Sequence, residues 1–133
     1  MNRIIIIVLL VLVAVAAWAF KQARANEGFV TMGVDDFERA IAATDSIQLL
    51  DVRSQGEYDE GHLPGAHIIN VQDSSFMSQV EAELVKEKII AVYCRSGHRS
   101  ATAARQLVDK GYTVINLDGG IMAWKRAGKT VMM

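Results

Sequence analysis

Apolar and polar positions along the chain fall into two regimes. Ile4 to Phe20 is an unbroken run of 17 apolar residues with no polar face, and from residue 28 onward short β-branched runs alternate with amphipathic stretches. The second regime predicts an α/β domain, because buried parallel strands read as short apolar runs while surface helices carry a 3.6-residue period. Strands are expected at 47–52, 88–93 and 113–117, with a shorter fourth at 66–69. Helices are expected at 34–43, 75–85, 100–110 and 120–127. Asp35 and Asp36 suit a helix start, and Lys110-Gly111 suits a helix end. Such alternation builds a parallel sheet covered by helices, whose ligand site lies at the carboxyl ends of the strands. Residues just after Val52 and Tyr93 are therefore the first candidates.

The first regime stands apart from the fold. A secretory apolar segment runs about 7–15 residues and a spanning helix about 20, with about 17 the lower limit, so two readings stay open. Ala23-Arg24-Ala25 puts small residues at the −3 and −1 positions of a cut before Asn26, whereas Trp18 and Lys21 suit interfacial anchoring of a retained helix. Residues 1–25 are thus expected to be a signal peptide or a membrane anchor, with residues 4–20 as the tether in the second case. Residues 26–133 are expected to form one domain outside the cytoplasmic membrane, periplasmic or otherwise extracytoplasmic.

Composition narrows the function. With 51% hydrophobic and 22% charged residues among 133, and with one proline and one cysteine, the chain is neither a disordered tail nor a disulfide scaffold. Three of the 14 basic residues (Arg3, Lys21, Arg24) precede residue 26, leaving 11 against all 15 acidic ones in the domain. A mildly acidic domain without a basic run offers no footprint for nucleic acid. The three histidines lie on separate elements and a single cysteine makes no CxxC pair, so no metal site is expected. No P-loop or GxGxxG is present either, and no cofactor is called for.

The chemistry gathers at Cys94. It ends the strand 88–93 and opens Cys94-Arg95-Ser96-Gly97-His98-Arg99-Ser100, after which an alanine-rich helix begins. A strand, a tight loop and a helix make an anion nest: loop N–H groups point inward at one sulfur and the helix N-terminus adds positive potential, favouring the thiolate. Gly97 permits the sharp turn. Arg95 and Arg99 add two positive charges that suit a dianionic substrate.

These residues, with three further blocks, resemble a single-domain rhodanese, or thiosulfate sulfurtransferase. The blocks are Leu50-Asp51-Val52-Arg53, then Glu57-Tyr58 with Gly61-His62-Leu63-Pro64-Gly65-Ala66, then Cys94 to Ser100, then Leu117-Asp118-Gly119-Gly120-Ile121 with Ala123-Trp124. The likeness spans residues 28–127. It implies a rhodanese-like α/β fold, a five-stranded, mainly parallel sheet with helices on both faces. It also implies an active loop starting at Cys94 and a persulfide on that cysteine. Related tyrosine phosphatases keep five residues between cysteine and arginine, usually with histidine before the cysteine. Here Ser100 occupies that arginine position, Arg99 comes one residue earlier and Tyr93 replaces the histidine. A loop one residue shorter suits a sulfane sulfur better than a phosphoryl group.

The expected reaction is sulfur transfer from thiosulfate, or a similar anionic donor, through Cys94 to a thiol or a protein acceptor. Arg95, Ser96, Gly97, His98, Arg99 and Ser100 are the expected substrate-binding loop. Enzymes of the wider family that use 3-mercaptopyruvate usually have glycine after the cysteine, where this chain has Arg95. His98 is a candidate for aiding thiolate formation or donating to substrate. Asp51 and Arg53 are expected to brace the loop, although an Arg53–Glu57 surface pair explains Arg53 equally well. His62 reads as a structural histidine in a turn, His67 as packing, and Gly119-Gly120 and Trp124 as turn and core. The alternative function is a persulfide carrier or partner-docking module with little small-molecule turnover.

Overall fold

The computed structural model describes residues 2–25 and 28–133. In chain order the elements are α1 (Arg3–Ala25), β1 (Val30–Met32), α2 (Val34–Ala43), β2 (Ile47–Asp51), α3 (Gln55–Glu60), β3 (His67–Ile68), α4 (Phe76–Glu83), β4 (Ile89–Tyr93), α5 (His98–Asp109), β5 (Val114–Leu117) and α6 (Gly120–Arg126). The five strands form one sheet in the order β1-β5-β4-β2-β3, and every neighbouring pair is parallel. One antiparallel bridge, His62 to Met132, ties the C-terminus to the turn after α3.

Period-two alternation in β4 explains both layers. Ile90 and Val92 point to one face, where they meet Phe76 and Val80 of α4 and Ala103, Ala104 and Leu107 of α5. Ala91 and Tyr93 point to the other, against Phe37 of α2 and Ile121 and Trp124 of α6. With helices on both faces, the central strands are buried on both sides, which is why they read as continuous apolar runs. The C-terminus of α5 closes as expected at Gly111, whose φ of 90° and N–H bond to Val108 O end the helix.

Two elements are absent from the sequence-based expectation. β1 is three residues long, pairs only with β5 and leaves Val30 and Thr31 exposed, so it carries no apolar run. α3 is six residues with no buried position, too short to show a helical period. α5 begins at His98 rather than Ser100, so His98 and Arg99 belong to its first turn. His67, expected to pack, is exposed on the edge strand β3.

The apolar run is helical within α1, and every described side chain from Asn2 to Trp18 is exposed, outside both core clusters. Among the described residues no helix is long and apolar enough to cross a membrane. The cut expected before Asn26 lies outside the described residues.

Candidate active site

β4 delivers Cys94 to the carboxyl end of the central strand, and continuing alternation turns it toward α5, where it is 1% exposed. Gly97, at φ 107°, turns the chain in left-handed backbone that a side chain rarely tolerates, and its N–H donates to the Cys94 Sγ at 3.1 Å. The loop carbonyls are committed outward. Ile121 N–H donates to Cys94 O at 2.9 Å, Met122 N–H to Arg95 O at 3.1 Å, and Ala101 N–H to Gly97 O at 3.2 Å. With the carbonyls held away, the amides of Ser96, Gly97 and Ser100 converge on the sulfur.

Burial alone pushes the Cys94 thiol up. Hydrogen bonds from the Ser100 hydroxyl and from the amides of Ser100, Gly97 and Ser96 outweigh it, so the thiol lies below its ordinary value. The Ser100 hydroxyl also donates to Gly97 O at 3.2 Å, so that carbonyl and the sulfur compete for it.

Gly119-Gly120, read from sequence as a turn, forms the back wall of this loop. Gly120 has φ 58°, and a Cβ there would stand 2.5 Å from the carbonyl carbon and oxygen of Arg95 and from Cys94 O. Glycine lets the start of α6 approach closely enough to hold the loop carbonyls.

The two arginines are not equivalent. Arg95 is exposed on the loop, whereas Arg99 grips Glu57 with two bonds, Nη1 to Oε1 at 2.7 Å and Nη2 to Oε2 at 2.8 Å. This corrects the expectation of two cations free for substrate. It also corrects the Arg53–Glu57 pair, because Glu57 belongs to Arg99. Hydrogen bonding from Arg99 is the main reason the Glu57 carboxyl drops to about 2, with the Ser54 amide and hydroxyl assisting. The clamp therefore holds down through pH 4.5, the group's ordinary value, and opens only as pH falls toward 2. Ser54 and Glu57 form the capping box that starts α3, so α3 and α5 are joined across the site.

Asp51 and Arg53 are both buried and face each other, with Arg53 Nε to Asp51 Oδ1 at 2.9 Å and Nη2 to Oδ2 at 2.6 Å. Arg53 also donates to Gly61 O at 2.7 Å. They touch the loop only through Tyr93, whose hydroxyl donates to Asp51 Oδ2 at 2.7 Å and accepts from Leu63 N–H at 3.0 Å. Burial, then the Asp51 charge, pushes the Tyr93 phenol far up, so it stays protonated as a donor. Tyr93 immediately precedes Cys94, so this network fixes the strand end that carries the thiol. His62 stacks on Tyr58 at 3.7 Å, with Nδ1 3.0 Å from Tyr58 O, away from the sulfur. His98 opens α5 with its side chain exposed.

Glu57, Tyr93 and the Gly119-Gly120 wall carry no site signal of their own in the sequence. The Ser54-x-x-Glu57 capping signature was a readable signal for α3. Among the described residues no group of three or more His, Cys, Asp or Glu is placed to hold a metal ion.

A helix-flanked parallel sheet with one cysteine under converging amides at a strand's carboxyl end defines an α/β domain built around a single buried thiol. The chain belongs to the rhodanese-like family: the pattern of the Rhodanese-like domain matches residues 33–127. A sulfurtransferase of Allochromatium vinosum is 34% identical over 104 residues, covering 74% of this chain and 90% of that protein. Thiosulfate sulfurtransferase 18 of Arabidopsis thaliana is 38% identical over 89 residues, covering 58% of this chain and 65% of the plant protein. The crystal structure of a rhodanese-related protein from Thermoplasma volcanium superposes with a TM-score of 0.69 at 27% identity, covering 78% of this chain and 98% of that one.

Proposed function

We propose that the protein is a sulfurtransferase that carries a sulfane sulfur from thiosulfate to a thiol or protein acceptor through a persulfide on Cys94. The observation that carries this reading is the buried Cys94 sulfur with the Gly97 amide at 3.1 Å and the Ser96 and Ser100 amides turned toward it. The names of the relatives from Allochromatium vinosum and Arabidopsis thaliana support the same chemistry.

In the first step the Cys94 thiolate attacks the outer sulfur of thiosulfate. A new S–S bond forms, the old one breaks, and sulfite leaves with the bonding electron pair. The persulfide that results carries its negative charge on the outer sulfur, where inward N–H groups stabilise it without reorganising. In the second step an acceptor thiolate attacks that outer sulfur and the Cys94 thiolate departs, restoring the starting state. Both donor and leaving group are dianions. Exposed Arg95 supplies positive charge for them, while Arg99 acts through its clamp on Glu57. The chain supplies the nucleophile and the anion stabilisation from its own groups.

Intact mass after thiosulfate treatment tests the reading. The wild type should gain one sulfur atom, cyanide should remove it as thiocyanate, and Cys94→Ser should gain nothing. Turnover retained by Cys94→Ser would remove the proposed nucleophile. A second reading follows from the 1% exposure of Cys94, which restricts acceptors to those that can reach the outer sulfur. A protein that loads from thiosulfate yet releases sulfur only to a docked partner is a carrier, and small thiols would then leave the mass unchanged.

A further inference from the structure

Beside the active loop, between α5 and the β1–β5 edge, lies a cleft of about 340 Å3. Cys94 is not among its lining residues, although Ser96, Gly97 and His98 form one wall. Phe29 and Ala101 supply apolar surface, and Arg105 and Asp118 place opposite charges on its margins. Its volume sits at the lower end for small-molecule sites, about 300–1,000 Å3.

Asn116 marks this cleft as built to hold something. Strand alternation puts Asn116 on the same face as Val114, where an apolar residue against α5 would be ordinary. It is instead an amide, 3% exposed, whose Nδ2 donates to Thr31 Oγ1 at 3.4 Å. Asn116 lines the cleft, and its buried Oδ1 has no hydrogen-bond partner among the described residues. A buried polar atom without a partner is costly, and a ligand that satisfies it recovers the cost on binding. Arg105 and Asp118 form no ion pair among the described residues, so both charges remain available.

We propose that this cleft binds a small zwitterion of the amino-acid class, its ammonium group on Asn116 and Asp118 and its carboxylate on Arg105. A lone anion meets the Asp118 carboxylate, and a lone cation meets the Arg105 guanidinium. A molecule carrying both charges is opposed by neither. Because Gly97 both lines the cleft and donates to Cys94 Sγ, the occupant sits against the loop without touching the sulfur.

The test is a titration of the full chain with L-serine, followed by amide NMR. Serine has no thiol, so the result is independent of sulfur transfer. Shifts are expected at Ser96, Gly97, Ala101 and Asn116. N-acetylserine, which lacks the ammonium, and ethanolamine, which lacks the carboxylate, should bind at least tenfold more weakly. Asn116→Leu and the exposed Asp118→Asn should each weaken serine binding by about tenfold or more, the usual loss for one charge-assisted contact. Absent shifts, an analogue binding as well as serine, or Asp118→Asn binding undiminished would each overturn the proposal.

Discussion

Cys94 shows how much a buried sulfur depends on single neighbours. Its desolvation opposes ionisation, and the Ser100 hydroxyl with the amides of Ser100, Gly97 and Ser96 outweighs it in favour of the thiolate. Ser100→Ala removes the hydroxyl donor and leaves the amides, so the thiol should move up toward its ordinary value. A hydrogen bond to a charged group is worth about 1.5–3 kcal/mol, so alkylation by iodoacetamide near neutrality should slow by roughly tenfold or more. The sign follows from which form reacts. Thiolate accumulates as pH rises, so wild type and variant should converge at high pH and differ most below the variant's higher value. An unchanged pH–rate profile would show that the hydroxyl keeps facing Gly97 O and contributes nothing to the sulfur. Glu57 and Arg99 illustrate the opposite limit, where a charge near the site is spent on structure: both guanidinium nitrogens of the fork meet one carboxylate.

At the scale of elements, the active loop is held from behind by α6 as much as from in front by α5. Gly120→Ala tests that. Its Cβ would fall 2.5 Å from loop backbone at a φ of 58°, and backbone cannot rotate aside as a long side chain would. The strained conformation alone costs about 1–3 kcal/mol, and relieving the clash must push α6 off the loop and lengthen the bonds from Ile121 and Met122. The urea midpoint should fall and persulfide loading should fall with it, whereas loading at the wild-type rate would deny α6 any part in shaping the nest. The elements also show what was legible in the sequence. β2, β4, β5 and α2 carry continuous apolar or periodic signals and were placed within a residue or two. Cys94 was readable because a lone cysteine followed by a glycine-bearing basic loop stands out against its strand. β1 and α3 are each too short for a period: β1 is fixed by pairing with β5, and α3 shows in the sequence only through its Ser54-x-x-Glu57 capping signature. The Arg99–Glu57 clamp was illegible for a related reason: 42 residues separate the partners, and only the closed fold brings α3 to α5.

At the scale of the whole molecule, the domain and its leader have separate physical economies. The two core clusters lie between Phe29 and Val131, and no described residue of α1 enters either. Removing residues 1–25 should therefore leave the thermal midpoint of the domain within about 2 °C, far less than the roughly 4–8 °C that 1 kcal/mol of lost packing shifts a 60–100-residue domain. The exposed side chains from Ile4 to Val15 are a different matter, because a contiguous apolar surface of that extent does not persist in water without a partner. We propose that the partner is the export route: residues 1–25 carry the domain across the cytoplasmic membrane, after which they are cut off before Asn26 or kept as a tether. The lone thiol would then work outside the reducing cytoplasm. No second cysteine is present to resolve oxidation as an internal disulfide, so oxidised protein should appear as sulfenic or higher acids or as a Cys94-linked dimer. Protease added to intact cells with a permeable outer layer should degrade the domain while cytoplasmic markers survive. N-terminal sequencing of the mature chain separates cutting, which gives Asn26 as first residue, from tethering, which retains the leader. A domain protected until the cytoplasmic membrane is opened would overturn the export reading, and would leave the Cys94 chemistry to be judged by its own mass measurement.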